Sequence, residues 1–329
     1  MNADTPPKIS VVIGAYNEEQ AIAETLQSLL GQTIDDFEII VVDDGSTDET
    51  TDTVADFTDR RIRLVSLDEN RGLSRALNRG ISEARGEYIA RADADERSLP
   101  YRLQRQSAVL DDRSDVQAVG CWYTNVGRDG KRIVDEIVST DRTFSVRDLF
   151  EHGPGVAHGS MTIRSQALSE VGGYRESFRL AQDYDLWLRM AETFGPGWLH
   201  VVPEVLYERT IEAAQLQKRH QQRVYGNAAR ECARARRDGH DDEQILHELP
   251  ERVARTDSPD YTQRELEGMY HYLLGTKLLE QNRPSAARRY LLTALWFAPK
   301  RPRPWYRLVL SILPRTKRQS VQHWVKTQL

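Results

Sequence analysis

Cysteine is nearly absent from this chain of 329 residues: Cys121 and Cys232 stand far apart, with no CxxC or Cys/His spacing. That excludes a disulfide framework and a zinc site, and both side chains are expected to be reduced thiols. Long apolar runs are also missing. No stretch reaches the roughly 18 apolar residues of a membrane-spanning helix, and the first residues lack the basic-then-apolar layout of a secretory signal, so a cytoplasmic location is expected. A Gly-x-x-x-x-Gly-Lys loop is absent too, which argues against a phosphoryl-transfer enzyme of that type. Acid is missing from one end. Residues 281–329 hold eleven Lys or Arg and no Asp or Glu, whereas residues 1–280 hold 34 basic residues against 50 acidic ones. The net charge of −5 is therefore −16 on the body and +11 on the tail.

What is present is an alternation of β-branched runs with amphipathic segments, the pattern of βαβ units and a parallel sheet. Ile9 to Ile13, Glu38 to Val42, Ile62 to Ser66 and Tyr88 to Arg91 read as strands. Asn17 to Gln20 and Ser46 to Glu49 read as capping boxes opening helices, the first helix carrying Ile22, Leu26, Leu29 and Leu30 on one face. A further helix is expected from Ser74 to Ala84 and another from Asp183 to Phe194, with shorter strands near Val116 to Gly120 and Ile133 to Val138. The expected fold class is α/β, a Rossmann-like mixed sheet flanked by helices over residues 1–211. Residues 212–329 form a helical C-terminal region with the basic tail. Within it, Leu266 to Pro299 resembles one tetratricopeptide-like hairpin, read as a cap rather than a repeat array.

The acidic clusters fall just beyond strand ends, where open α/β sheets place their ligands. Tyr16 follows the first strand and Asp44 the second. An aromatic face stacks on a base and a carboxylate accepts from a ring N–H, with Gly45 giving the tight turn. For Asp43 helix capping is an equal alternative. Asp93 and Asp95 lie two apart at the end of the fourth strand, on one side of an extended chain. Such a pair suits Mg2+ or Mn2+ whose shell substrate phosphates complete. Asp183 opens a helix after a glycine-rich loop and is the candidate general base for an acceptor hydroxyl, while Asp185 reads as a first-turn acid. His158 lies in the segment Pro154 to Ser160 that would line the cleft, with a structural role as the alternative. Arg71 and Arg75 flank a helix start, near enough for phosphate or simply at the surface.

At these residues the chain resembles the family 2 glycosyltransferases of the GT-A fold, over about its first two thirds. The motifs are Ser10 to Glu18, Val42 to Asp48, Arg71 to Asn78 and Asp93-Ala94-Asp95. The resemblance implies that Asp44 contacts the base; the candidate donor-binding residues are together Ala15, Tyr16, Glu18, Asp43, Asp44, Arg71, Asp93 and His158. It also implies a divalent metal led by Asp95 with Asp93, Asp183 as catalytic base, and inversion at the anomeric carbon. One departure stands out: Gln182 replaces the glutamate that usually precedes the base.

The function so implied is hexosyl transfer from a nucleotide diphosphate sugar, read as a UDP-sugar, to a hydroxyl of a glycan or lipid-linked saccharide. The alternatives are a sugar-phosphate nucleotidyltransferase, whose glycine-rich basic loop is missing after the first strand, and an inactive nucleotide-sugar-binding protein. Aromatic residues among the cations of residues 281–329 fit peripheral contact with an anionic membrane on its cytoplasmic face; a solvated face or subunit contact is the alternative. No nucleic-acid partner is expected from an acidic body.

Overall fold

The computed structural model describes residues 5–211, 213–256, 259 and 261–314. In chain order its elements are β1 (Ile9–Ala15), α1 (Ile22–Leu30), β2 (Phe37–Asp43), α2 (Thr50–Ala55), β3 (Ile62–Ser66), α3 (Leu73–Glu83), β4 (Tyr88–Arg91), β5 (Arg97–Ser98), α4 (Arg102–Asp112), β6 (Ala118–Val126), β7 (Arg132–Glu136), α5 (Val146–His152), β8 (Thr162–Arg164), α6 (Ser165–Glu170), α7 (Gln182–Phe194) and β9 (Leu199–Thr210). Then follow α8 (Ala214–Gln217), α9 (Arg219–Arg237), α10 (Glu243–Ala254), α11 (Gln263–Glu280), α12 (Pro284–Phe297) and α13 (Pro302–Ile312).

The strands form one mixed sheet in the order β3-β2-β1-β4-β8-β6-β9-β5, with β7 paired to β6. The first four are parallel, and β8 runs antiparallel to both β4 and β6. Alternate residues of β1 serve opposite faces, as the period of two requires. Ile9, Val11 and Ile13 join Ile22, Leu26 and Leu29 of α1 in one core, while Val12 joins Leu77, Ile163 and Trp187 in the other. Helix α3 lies hard against the sheet at Gly80, where a Cβ would stand 2.4 Å from Val12 Cγ1. Parallel register sets Ala15 beside Asp43 and Val12 beside Arg91. The residues that follow β1, β2 and β4 therefore leave the sheet at one common edge.

Neither expected capping box forms. Helix α1 begins only at Ile22 and α2 at Thr50, and neither N-cap side chain accepts a bond. The polar residues serve the opposite loop instead: Asn17 Oδ1 accepts from Thr47 N–H at 2.9 Å, Asn17 N–H donates to Ser46 Oγ at 2.9 Å, and Glu49 N–H donates to Glu19 Oε2 at 3.0 Å. A cap and a cross-loop clasp need the same side chains, and sequence spacing does not distinguish them.

By contacts the chain divides into two units. One comprises Met1–Thr124, Asp135–Thr210 and Gln221–Thr256; the other Asn125–Val134, Ile211–His220 and Asp257–Leu329. Against the composition-based boundary at 211, most of α9 and all of α10 group with the sheet, where Tyr225, Ala229, Cys232 and Leu249 enter the core around Trp187. In the other unit, α11 carries a true capping box between Thr262 and Glu265 and pairs with α12 as a helical hairpin. Gly275 permits the approach: a Cβ there would be 2.7 Å from Leu291. Leu274, Leu278, Ala287, Leu291 and Leu310 form its core. Among the described residues, no helix is long and apolar enough to cross a membrane.

Candidate active site

The turn after β2 is built around two buried carboxylates. Asp43 folds back on Ser46 N–H at 3.2 and 3.3 Å. Asp44, 3% exposed, accepts from Arg71 N–H at 3.1 Å and Gly72 N–H at 2.7 Å, and its own N–H reaches Ala15 O at 2.8 Å. Asp44 thus holds the turn that opens α3. Gly45 is required beside it: φ is +75°, and a Cβ would sit 2.8–2.9 Å from the backbone of Glu69 and Asn70. Tyr16, at the end of the neighbouring strand, is 42% exposed and open to stack on a ligand. Glu18 is half-buried, with its N–H on Thr50 Oγ1. The Arg71 guanidinium is exposed and paired with Glu69, so only its backbone reaches Asp44. Arg75, one turn into α3, is half-buried and has no acidic partner among the described residues.

After β4 the chain enters an acidic cluster organised by a buried arginine. Arg91 donates to the carbonyls of Val12 and Ala92 and pairs with Asp93. Burial opposes the charge of Asp93, but Arg91, with His158 and Arg209, more than offsets it and holds the carboxyl below its usual range. Asp95 is half-buried, and its carbonyl accepts from Thr210 Oγ1 at 2.7 Å. Glu96 is the opposite case, since burial, reinforced by the charges of Asp93 and Asp95, pushes its carboxyl well above the usual range. Tyr207 Oη accepts the Asp93 N–H at 3.1 Å. Gly159 lies against both: a Cβ would meet Tyr207 Oη at 2.1 Å and Asp93 Oδ2 at 2.8 Å.

The third element is the N-terminus of α7. Ala181 adopts a left-handed conformation (φ 55°), unusual for a residue with a Cβ, and turns the chain so that Asp183 stands in the first turn. Asp183 is half-buried, with Oδ1 accepting from Tyr184 N–H at 2.8 Å. Asp185 is fully buried between Arg189 and Arg175 at 2.9 and 3.3 Å, and Gln182 is buried. His158 joins the two acidic elements, because the charges of both Asp93 and Asp183 act on its ring. Burial, helped by Arg91, lowers its pKa to about 4, so the imidazole is neutral near pH 7. Its Nε2 shares a hydrogen bond with Tyr174 Oη at 2.7 Å. Burial raises the Tyr174 phenol, which keeps its proton.

Tyr174 is itself clamped by α3. Asn78 donates to Tyr174 O at 2.7 Å and accepts from Tyr174 N–H at 2.9 Å, and Ser74 donates to Phe178 O at 2.8 Å. One helix thus begins on Asp44 and ends its second turn on the loop leading to Asp183. Asp93, His158 and Asp183 are brought together; Ala15, Tyr16, Asp43 and Asp44 gather along the same sheet edge. Arg91, Tyr174 and Asn78 were not singled out from the sequence. Arg91 left a signal, a charge inside an otherwise apolar strand run, which a buried strand rarely carries without a partner.

Among the described residues, no three His, Cys, Asp or Glu side chains are grouped to hold a metal ion alone. The end of β4 instead carries two half-buried carboxylates, Asp93, which pairs with Arg91, and Asp95. That set fits Mg2+ or Mn2+, ions that take one or two protein carboxylates and complete their shell with phosphates and water.

Residues 10–172 match the profile of glycosyl transferase family 2. The chain is 35% identical over 211 residues to the putative glycosyltransferase EpsE of Bacillus subtilis, covering 61% of this chain and 72% of that one. Among solved structures it is similar to S. aureus TarS in complex with UDP (TM-score 0.51, 17% identity, 88% of each chain covered). It is likewise similar to the mannosyltransferase PcManGT of Pyrobaculum calidifontis in complex with GDP-Man and Mn2+ (TM-score 0.53, 21% identity, 94% and 85% covered). With the mixed sheet, the acidic turns at its edge and a relative 35% identical over 211 aligned residues, this chain belongs to glycosyl transferase family 2, a glycosyltransferase of the GT-A fold.

Proposed function

We propose that the chain transfers a sugar from a nucleotide diphosphate donor, a UDP-sugar in the preferred reading, to a hydroxyl of a glycan or lipid-linked saccharide, with inversion. The carrying observation is the polar cluster in which His158 feels both Asp93 and Asp183. A leaving-group site and a base site would then lie on either side of one small volume. In this reading Tyr16 stacks on the base, Asp44 and the turn it organises with Ala15, Glu18, Asp43 and Arg71 surround the nucleoside, and residues 1–211 hold the donor chemistry. UDP bound to TarS and GDP-Man bound to PcManGT support a nucleotide donor without choosing between them.

Asp183 acts as general base. Tyr184 N–H occupies its Oδ1, which leaves Oδ2 to take the proton of the acceptor hydroxyl as the new bond forms. Neutral His158, oriented by Tyr174, offers its remaining ring nitrogen to the diphosphate or the acceptor. Asp95, with Asp93, would hold Mg2+ or Mn2+, which supplies charge neutralisation to the departing diphosphate. The protein is read as cytoplasmic, meeting an anionic membrane surface through residues 281–329. Of that stretch, residues 315–329, with Trp324, lie outside the described residues.

The test is a panel of UDP-, GDP- and dTDP-sugars with Mn2+ or chelator, scored first by thermal shift and then by release of nucleotide. Asp183→Asn should lower turnover by about 10²–10⁴-fold while retaining the donor-induced shift. Turnover within a few-fold of wild type would remove Asp183 from the mechanism.

A further inference from the structure

The helical hairpin of the second unit presents an unusual outer face. Helices on a protein surface normally turn apolar residues inward and polar ones out. Helix α13 does turn Pro304 and Leu310 inward, yet its outer stripe is also apolar: Trp305, Val309 and Ile312, at 52%, 56% and 67% exposure. Helix α12 repeats the pattern, with Leu291 and Ala294 buried, and Leu292 and Trp296 exposed at 56% and 67%. Five of the eight large exposed hydrophobic residues among those described therefore fall within residues 292–312.

The charge on this stretch has one sign. Residues 281–314 hold seven Lys or Arg and no acid. Arg301 and Arg307 are taken by Glu265 and Glu280 of α11. Arg289, Lys300 and Arg303 have no acidic partner among the described residues. Where α13 begins, a cavity of about 330 Å³ with Met269, Tyr272 and Pro304 in its wall carries Arg219 and Arg303 beside them. Guanidinium groups against an apolar wall suit the junction between a phosphate and its hydrocarbon.

We infer that the exposed face of α12 and α13 docks on an anionic lipid bilayer, with Trp296, Trp305, Val309 and Ile312 entering the headgroup layer and Arg289, Lys300 and Arg303 meeting lipid phosphates. Two tryptophans among aliphatic side chains are the residues that favour this interface, and cations beside them draw it to negative lipid. A second copy of the chain fits worse, because a two-fold contact through this face would set cations against cations with no acid to pair them. Nucleic acid would satisfy the cations but leave Val309 and Ile312 with nothing to bury against. The inference rests on reading residues 281–329 as a membrane-contacting region, and it specifies which side chains make the contact.

The experiment is co-sedimentation of the full chain with vesicles of phosphatidylcholine alone or with about a third phosphatidylglycerol, at low and high salt. Wild type should bind only the anionic vesicles and release in high salt. Trp296→Ala with Trp305→Ala should weaken binding by at least roughly tenfold, and so should Arg289→Glu, Lys300→Glu and Arg303→Glu together. Neither set should change nucleotide release from a soluble donor, and circular dichroism should match wild type. Wild-type binding that survives both sets assigns the contact to other residues of the stretch and overturns this inference alone. A wild type that ignores anionic vesicles overturns the membrane reading as well. Loss of self-association in the tryptophan variant would assign the face to a second copy and refute the docking.

Discussion

Asn78→Ala separates a role in positioning from a role in donor binding. The Asn78 amide makes both backbone hydrogen bonds of Tyr174, at 2.7 and 2.9 Å, and among the described residues no other side chain does so. Removing them leaves one N–H and one C=O of a buried residue unpaired or wetted, a loss of about 2 kcal/mol. For a unit of this size that corresponds to a fall in Tm of about 4–8 °C. The functional effect should exceed what stability alone explains, because Tyr174 Oη holds His158 Nε2 and the charges of both Asp93 and Asp183 act on the His158 ring. Displacement of a positioned group by about 1 Å costs about 10²-fold, so kcat should fall ten- to a hundredfold, with donor Kd changed by less than about threefold. The assay is steady-state nucleotide release well below the Tm, beside calorimetric donor titration. A cycle with Tyr174→Phe completes it: if Asn78 acts through the Tyr174 hydroxyl, its removal should cost kcat little more in the Tyr174→Phe background, while the losses in Tm stay additive. A normal kcat at lowered Tm, or a full further loss of kcat on top of Tyr174→Phe, would refute the coupling.

Asp44→Ala strips two partly buried backbone N–H groups of their charged acceptor, so differential scanning fluorimetry should show a loss of about 2–3 kcal/mol and no stabilisation by donor; a Tm within 2 °C of wild type contradicts this. Gly159→Ala forces a Cβ into Tyr207 Oη and Asp93 Oδ2, and should lower stability by about 1–3 kcal/mol and weaken metal-dependent donor binding, read by thermal shift with and without Mn2+. His158 has a folded-state pKa lowered from 6.5 to about 4, so the unfolded chain takes up the proton first. Its contribution is present above pH 6.5 and is lost as pH falls toward 4, about 2–3 kcal/mol over that window. Urea titrations of the metal-free chain should show a shallower pH slope for His158→Gln than for wild type; equal slopes would count against burial of a neutral imidazole.

The strands β1, β2 and β4 were legible because runs buried on both faces leave a largely apolar signal, β3, only half-buried, because of its β-branched residues and its place in the alternation, and the acidic turns because they interrupt the apolar runs. The clasp between the loops after β1 and β2 was not, because its residues are of capping types yet cap neither α1 nor α2. Asn17 and Asp48 bond equally well to a helix start or a neighbouring loop, and which is in reach depends on the parallel register of Ala15 with Asp43. Likewise Asn78 lay inside a recognised motif, yet its partner is 96 positions away.

By itself the sequence determined which residues are available and where they leave their strands: the order of motifs, the carboxylates at Asp44, Asp93, Asp95 and Asp183, and the split between acidic body and basic tail. Only the tertiary structure decided what each carboxylate does locally. Asp44 organises the start of α3, Asp93 is held by buried Arg91, Asp185 is locked between two arginines, and Asp183 keeps one oxygen unengaged among the described residues. The reason is physical: composition sets a group's chemistry, but its charge state and partners depend on burial and on neighbours brought close from distant positions. The same holds for Trp296 and Trp305, whose exposure depends on which face of each helix the hairpin buries.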